Sequence, residues 1–316
     1  MKLSVITIAT HYDAYLAPLE EIAKKKGIVI EIIGLGQKWQ GFTWITELAM
    51  NHIKEHHNDP DDIVMIIDGF DVLLLGSPDE ILEKYKSFNK DIVFSTEIPQ
   101  SQPNPNYIVN IVYPFTKYFV FGMRTNNPMI NAGCTIGRGP QMARLLGDIL
   151  KMSKRINSTD NQVCLNQVDL SSYSHAYDFD SKIFWIWGAT SVKELLSMGV
   201  MTSSLPEMYS GCTVDDTGRV VFDKKINNEN IKPCVVHGVA QRDMRYLCKK
   251  NGVNVDHKKR VYSQLLTVNW LSFVKKILLF LFIAVALYVA WYTIPSMMET
   301  VDVITEAEQE FLNSLM

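Results

Sequence analysis

The first 100 residues alternate between short apolar segments and amphipathic segments of helical length. The apolar segments, which predict buried β-strands, lie at residues 3–10, 28–36, 62–68 and 91–97. The segments between them, which predict helices, lie at residues 15–27, 44–57 and 77–88. Continuous apolar strands separated by helices are typical of a mostly parallel, doubly wound α/β sheet, in which ligands bind at the carboxyl ends of the strands.

The rest of the globular region is less regular. Residues 98–118 are rich in proline and asparagine, which predicts a long loop. Later segments predict further strands at 129–137, 182–187 and 234–240, and helices at 140–154 and 160–170.

Charge and cysteine usage exclude some classes of protein. The chain of 316 residues has a formal net charge of −3, so it has no general attraction to nucleic acid. Its five cysteines are odd in number and form no C-x-x-C pair. This argues against both a disulfide framework and a zinc site built on cysteines, and it favours buried free thiols.

A long uncharged run near the C-terminus predicts a membrane span. Residues 277–294 contain no charge, and Trp270 before the run and Trp291 near its end are placed as interfacial aromatics are. Lys275 and Lys276 precede the run, and residues 295–316 contain no lysine or arginine. The positive-inside rule therefore predicts a single-pass protein with a C-terminal anchor and its large N-terminal domain in the cytosol.

These patterns together predict four regions. They are a catalytic or binding domain at 1–249, a linker at 250–269, a transmembrane helix at 270–295 and a short acidic tail at 296–316.

Two carboxylates mark the end of the third predicted strand. Asp68 and Asp71 bracket Gly69 and Phe70 in the segment IIDGFDVLLLG. In a straight strand these two aspartates would point to opposite faces, but a turn at Gly69 would let both bind one divalent cation. A strand-end turn in which Asp71 only caps backbone groups explains the same spacing.

A set of segments in a fixed order resembles a known family. The segments include VITIATHYDAYLAPLEE, VIEIIGLGQKWQG, DDIVMIIDGFDVLLLGSPDEIL, INAGCTIG, DNQ and VVHG. Together they resemble the glycosyltransferase domain of the procollagen lysyl hydroxylases and its viral relatives, over residues 3 to about 245. The resemblance implies a GT-A-like nucleotide-sugar-binding domain that uses Mn²⁺, with Asp68, Asp71 and His237 as the metal ligands.

The same resemblance implies a reaction and a donor site. The reaction would move a hexose, glucose or galactose, from a UDP-sugar to a hydroxyl of a protein or glycan acceptor, such as hydroxylysine. The nucleotide would contact five positions, which are Ile8, Thr10, Trp39, Phe70 and Gly238.

Two further residues are implied as catalytic candidates. Asn131 would face the donor sugar, and Asp160 would bind a hydroxyl of the donor or the acceptor. A helix N-cap explains Asp160 equally well.

The sequence also departs from the family pattern. Val239 stands where the family has an asparagine after the V-V-H-G segment, and Arg242 is the nearest cation. These departures favour an alternative, a catalytically silent, membrane-anchored protein that binds a nucleotide-sugar or acts as a scaffold. A viral-type homologue in a host or virion membrane would account for a cytosolic domain of this family.

Overall fold

The structure is a computed structural model that describes residues 1–97, 128–187, 212–223, 225–239 and 243–255. The chain divides into two compact units, Met1–His257 and Lys258–Met316, and every described residue lies in the first. Among the described residues, no helix is long and apolar enough to cross a membrane. Arg242 and four predicted segments lie wholly or mostly outside them, namely 98–118, 250–269, 270–295 and 296–316.

The described residues contain helices and strands with the following bounds. The helices are α1 (Leu16–Lys25), α2 (Phe42–His56), α3 (Pro78–Ser87), α4 (Gly139–Ile156), α5 (Asn161–Leu165) and α6 (Arg245–Lys250). The first eight strands are β1 (Lys2–Ile8), β2 (Ile30–Ile33), β3 (Asp62–Ile67), β4 (Val72–Leu74), β5 (Ile92–Thr96), β6 (Ile130–Arg138), β7 (His175–Tyr177) and β8 (Phe184–Ile186). The later strands are β9 (Cys212–Val214), β10 (Val220–Phe222), β11 (Lys225–Ile226), β12 (Glu229–Asn230) and β13 (Val235–His237).

A six-stranded sheet forms the centre of the fold, in the order β2-β1-β3-β6-β5-β7. β1 pairs in parallel with β2 and β3, and β5 pairs in parallel with β7. β6 runs antiparallel to both of its neighbours, β3 and β5. The prediction of a mostly parallel sheet is therefore confirmed, with β6 as the exception.

Helices cover both faces of this sheet. Consecutive residues of β1 face opposite sides of the sheet. Val5 packs in the same core cluster as α1 and α3, and Ile6 packs in the same cluster as α2 and α4. Apolar side chains on both sides of one strand explain why the strands are continuous apolar segments in the sequence. The doubly wound arrangement follows from this two-sided burial.

The reversed direction of β6 brings distant residues to one edge of the sheet. The first residues of β6 lie beside the last residues of β3 and β5, where Ile130 pairs with Thr96. Just beyond β3, the Asp68 N–H donates to the Gly133 carbonyl at 2.8 Å. Residues 130–133 therefore lie at the carboxyl edge of the parallel strands, where ligands bind in such sheets.

A smaller three-stranded sheet, in the order β4-β13-β8, lies next to this edge. β13 pairs antiparallel with β4, and this register sets His237 opposite Val72. The Gly238 N–H then donates to the Asp71 carbonyl at 2.8 Å. The late strand thus brings His237 beside the aspartate motif.

The element predictions from sequence are correct for the long elements and incomplete for the short ones. Ser77 caps α3, because its hydroxyl accepts the Glu80 N–H at 3.3 Å and Pro78 is the first helical residue. The predicted helix at 160–170 is wrong in length, since α5 ends at Leu165. All five cysteines are buried and unpaired, as expected.

Candidate active site

Three side chains with metal-binding chemistry meet at the carboxyl edge of the central sheet. Asp68 follows β3, Asp71 precedes β4, and His237 ends β13. The Nε2 atom of His237 lies 3.3 Å from Asp71 Oδ1 and 3.7 Å from Asp68 Oδ2. One ligand atom from each residue lies within 4.8 Å of the other two. The structure therefore brings together the three residues that the sequence resemblance implies as ligands.

A tight turn at Gly69 lets both aspartates face one point. A Cβ at Gly69 would lie 2.9 Å from Thr7 Oγ1 and 3.4 Å from a Leu16 methyl group, so the turn packs closely on β1 and α1. Any larger side chain would push this turn away from β1. Glycine at position 69 thus permits the turn that the D-x-x-D spacing needs for both aspartates to face one point.

Asn131 orients the imidazole of His237. The Asn131 side-chain N–H donates to Glu97 Oε1 at 2.9 Å, which fixes Oδ1 as the atom that faces His237. That oxygen lies 3.1 Å from His237 Nδ1, so Nδ1 carries the proton and donates it. Nε2 then faces the two aspartates, and its lone pair would become a ligand if a cation were bound there, as in many metal sites where a hydrogen bond on the other nitrogen sets the histidine tautomer.

Gly133 leaves the space that this cluster occupies. A Cβ at this position would overlap Asp68 Oδ2 and would lie 2.5 Å from His237 Cε1. The backbone of β6 therefore approaches the ligand atoms as closely as a residue without a side chain allows.

The pKa values of Asp68 and His237 are shifted by burial and by neighbouring charges. Local desolvation raises the pKa of Asp68 to about 6, and the Asp71 charge adds to this rise while His237 opposes it, although half of the Asp68 side chain reaches solvent. Burial disfavours the imidazolium of His237, but the charge and hydrogen bond of Asp71 outweigh it and raise the pKa of His237 well above its usual value. Crowded carboxylates of this kind are stabilised by a cation.

The donor set fits a divalent cation. Two carboxylates and one imidazole suit an ion that accepts oxygen and nitrogen ligands, such as Mn²⁺. The exposed side of Asp68 leaves coordination positions open toward solvent. The cluster can therefore hold a cation and still accept oxygens from a ligand.

Aromatic side chains lie beside the end of β1. The rings of Phe70 and His11 are 5.5 Å apart, and the Thr10 hydroxyl lies 2.8 Å from His11 Nδ1. Trp39 is 47% exposed and meets Phe42 edge to face at 5.4 Å. Exposed aromatic rings beside a polar strand end can stack on a nucleobase.

The other two positions implied for the nucleotide are placed as follows. Ile8 pairs with Ile33 at the last position of β1, and its side chain packs partly against the α2 and α4 side of the core. Gly238 follows His237 directly and is tied to Asp71 through its backbone N–H. Both residues lie at the same edge as the candidate metal ligands Asp68, Asp71 and His237.

The two catalytic candidates differ in their surroundings. Asn131 is 3% exposed, and its carboxamide bonds to Glu97, His237 and the Gly133 N–H. Its side chain is thus engaged within the protein, which makes it a positioning residue. Asp160 is exposed and caps α5 by accepting the Val163 N–H at 3.0 Å.

Sequence reasoning missed three residues at this edge. Glu97 accepts from Asn131 and also from Gln162 Nε2 at 2.8 Å, and Gln162 Oε1 accepts the Ala132 N–H at 3.0 Å. His11 is the third. Glu97 is the last residue of one predicted strand and His11 directly follows another, and these positions could have identified both, because strand ends of a parallel sheet share one edge.

The fold and the site define an α/β domain with a carboxylate–imidazole cluster at the ligand-binding edge of its sheet. A family model described as the PLOD GT domain matches residues 1–186, and the chain belongs to this family of glycosyltransferase domains.

The curated relatives that match this chain are larger proteins. Human procollagen-lysine,2-oxoglutarate 5-dioxygenase 2 is 32% identical over 104 residues, which cover 30% of this chain and 14% of that protein. The multifunctional procollagen lysine hydroxylase and glycosyltransferase of Caenorhabditis elegans is 26% identical over 250 residues, which cover 75% of this chain and 30% of that protein. The chain thus matches less than a third of the length of either relative.

One solved structure has a weak likeness to this chain. It is a glycosyltransferase involved in the glycosylation of the major capsid of PBCV-1, with a TM-score of 0.38 and 10% identity over 59% of this chain and 85% of that chain.

Proposed function

We propose that this domain transfers a hexose, glucose or galactose, from a UDP-sugar to a hydroxyl acceptor with the help of a divalent cation, Mn²⁺. The observation that supports the proposal most directly is the meeting of Asp68, Asp71 and His237 beside the end of β1. Membership of a glycosyltransferase family supports the reaction class.

Asp68, Asp71 and His237 would hold the cation, which when bound would neutralise charge on the diphosphate leaving group. Asn131 contributes by fixing the proton of His237 on Nδ1, so that Nε2 stays available as a ligand. The rings of Phe70 and His11 offer a surface for the uracil, with the exposed Trp39 as a second one.

The sugar would lie between the metal ligands and the start of α5. Glu97 and Gln162 bond to each other at this edge, and Asp160 is exposed with one carboxylate oxygen used for the helix cap. Carboxylates and amides bind sugar hydroxyls well because they offer both strong acceptors and donors. The proposed acceptor is a hydroxyl of a protein or glycan, such as hydroxylysine.

A donor screen tests the proposal. The full-length chain is incubated with each UDP-sugar and Mn²⁺, with and without a hydroxylysine peptide or glycan acceptor, and UDP release is measured. We expect release with UDP-glucose or UDP-galactose and a loss of at least about 100-fold in Asp71→Asn, because a charge-stabilising ligand is removed. Asp79→Asn, on the exposed first turn of α3, serves as the matched control and should keep full activity.

One observation favours the silent alternative, a protein that binds the nucleotide-sugar or a partner without turnover. Val239, where the family has an asparagine, packs its side chain against the apolar core and so gives the site no polar group. Calorimetry with UDP and Mn²⁺ separates the two functions. Binding without release from any donor supports the silent alternative, and no UDP binding contradicts both.

A further inference from the structure

A second cluster of metal-binding side chains lies at the opposite edge of the central sheet. Glu31 is near the start of β2, the outer strand, and His52 and His57 lie at the C-terminal end of α2. Trp39 and Phe42 lie at the N-terminal end of α2, so the cluster at the C-terminal end is separated from these aromatic residues by the length of the helix.

The two histidines converge on one carboxylate oxygen. Nε2 of His52 lies 2.7 Å and Nε2 of His57 lies 3.2 Å from Glu31 Oε2. One ligand atom from each of the three residues lies within 4.8 Å of the others. An ion about 2.0–2.2 Å from each atom needs ligand separations only slightly larger than these, so a small outward shift of the side chains would admit it.

The surroundings hold these side chains in place. His57 is 5% exposed, and a Cβ on Gly139 would overlap its carbonyl oxygen, so the start of α4 packs directly against it. Burial disfavours the charge on Glu31, but hydrogen bonds from His52, His57 and Ser4 outweigh it and lower the pKa of Glu31, which keeps the carboxylate ionised. The Ser4 hydroxyl donates a hydrogen bond to the Glu31 carboxylate, as residues around the ligands do in many metal sites.

The cluster is also open to solvent on one side. The side chains of His52 and Glu31 are 22% and 32% exposed, which gives an ion a path of entry and leaves a position for water. Two imidazoles and one carboxylate form a donor set with more nitrogen than the cluster at Asp68, Asp71 and His237. Imidazole-rich sets of three ligands suit Zn²⁺, which completes a tetrahedron with water.

We propose that Glu31, His52 and His57 form a Zn²⁺ site that joins the end of α2 to the outer strand β2. Binding would replace the hydrogen bonds from the two histidines to Glu31 and release their protons to solvent or to Nδ1, so that each Nε2 lone pair becomes a ligand. The ion would bind the folded chain and not the unfolded one, and it would therefore raise the unfolding temperature with the logarithm of its concentration once that concentration exceeds Kd. This site is independent of the proposed transferase reaction.

Calorimetric titration of the full-length chain with Zn²⁺ tests the proposal. The Asp71→Asn variant serves as background, so that the first cluster does not obscure the second. We expect one Zn²⁺ per chain and a loss of affinity of at least about tenfold in His52→Gln, in His57→Gln and in Glu31→Gln. X-ray absorption of the bound ion should show two imidazole ligands.

His56→Gln is the matched control. The His56 ring lies 4.6 Å from that of His52 on the same helix, but its Nε2 faces Glu55 at 3.7 Å and lies outside the cluster. Affinity should be unchanged in this variant. A loss in His56→Gln that equals the loss in His57→Gln would assign the ion to the exposed helix face and overturn the proposed ligand set.

Two other results also contradict the proposal. One is the absence of Zn²⁺ binding in the Asp71→Asn background, and the other is binding that survives in His52→Gln. His52 is partly exposed, so its substitution leaves the core intact, and an unchanged melting temperature without metal checks this. UDP binding with Mn²⁺ should stay unchanged in His52→Gln, which keeps this test separate from that of the transferase.

Discussion

At the scale of single residues, Gly133 leaves the space that the side chains of the candidate metal cluster occupy. Its Cα faces Asp68 and His237 with no side chain between, and a methyl group there would overlap the carboxylate. The residue has no left-handed backbone conformation, so the reason for glycine is space at the cluster and not backbone freedom.

We therefore expect Gly133→Ala to weaken Mn²⁺ binding in the presence of UDP by at least about tenfold, because Asp68 and His237 must move apart. The cost in unfolding free energy should stay within about 1–3 kcal/mol, as for other overpacked sites. Calorimetry and thermal unfolding measure the two effects.

Gly147→Ala is the control for this substitution. A Cβ at this position in α4 would lie 3.6 Å from the Met50 sulfur, which is an ordinary contact. Its metal binding should match that of the unsubstituted chain. Equal metal binding in Gly133→Ala and Gly147→Ala would show that the space beside Gly133 is not needed for the ion.

Individual residues show how far sequence reasoning can reach at the site. Asp68 and Asp71 could be proposed from their place after an apolar strand, but their spacing fitted a capped turn equally well. His237 could be linked to them only through the resemblance, because the pairing of β13 with β4 that joins them is a tertiary contact. The bond of Asn131 to His237 has no local sequence signal, and so its positioning role was not foreseen.

At the scale of elements, a partly buried ion network connects α3 to the segment that leads into β13. Arg219, at the start of the β10 strand, donates to both carboxylate oxygens of Glu80 on α3, at 2.6 and 2.9 Å, and also to the Pro233 carbonyl at 2.9 Å. Lys84 donates to Glu80 at 2.7 Å. The network thus ties α3 to the chain segment that leads into the strand carrying His237.

Glu80 makes stability depend on acid pH. Burial disfavours its charge, but the hydrogen bonds from Arg219 and Lys84 outweigh it and lower the pKa of Glu80 to about 2. A carboxyl whose pKa is depressed in the folded state stabilises the fold above its unfolded value and loses this effect as pH falls toward the folded value. The contribution of Glu80 should thus be complete above about pH 4.5 and disappear between about pH 4.5 and 2.

We expect Glu80→Gln to lower the free energy of unfolding by roughly 1–3 kcal/mol at pH 7, since Arg219 loses its charged partner. Urea unfolding at pH 7 and at pH 3 measures the effect, which should shrink at the lower pH. Glu83→Gln, on the exposed side of the same helix, is the matched control and should change stability by less than about 0.5 kcal/mol. A pH-independent effect of Glu80→Gln would contradict the assigned role of its charge.

Element length explains which strands the sequence predicts. The strands β1, β3, β5 and β6 are five to nine residues long and are continuous apolar segments, so their pattern identifies them. The strands β4, β7 and β9 have three residues each, which is too short for any period to show. The antiparallel direction of β6 was also beyond local sequence, because strand direction is set by tertiary pairing.

At the scale of the whole molecule, the candidate site extends beyond the region that the family model matches. That region ends at residue 186 and includes Asp68, Asp71 and Asn131, whereas His237 lies outside it. The third candidate ligand, His237, reaches the site through the three-stranded sheet, which joins β4 and β8 from the matched region to β13. Metal binding should therefore require the chain up to at least β13, and the family match alone does not define the functional unit.

The membrane span predicted at residues 277–294 determines where the whole chain is expected to reside. Eighteen consecutive uncharged residues are long enough to cross the hydrocarbon core. We expect the full-length chain, expressed in cells, to resist carbonate extraction from membranes. The proposed cytosolic location of the N-terminal domain further predicts that added protease digests it in sealed, cytosol-side-out vesicles.

A paired substitution at the centre of this run gives the sharpest test. Arginine at both Ala284 and Ala286 should release the chain into the soluble fraction, because each charge at the centre of a span costs about 2.5–3.5 kcal/mol. Leucine at the same two positions keeps the run apolar and should leave the chain in the membrane fraction. Extraction of the unsubstituted chain by carbonate, or equal partitioning of the arginine and leucine variants, would show that residues 277–294 do not anchor the protein.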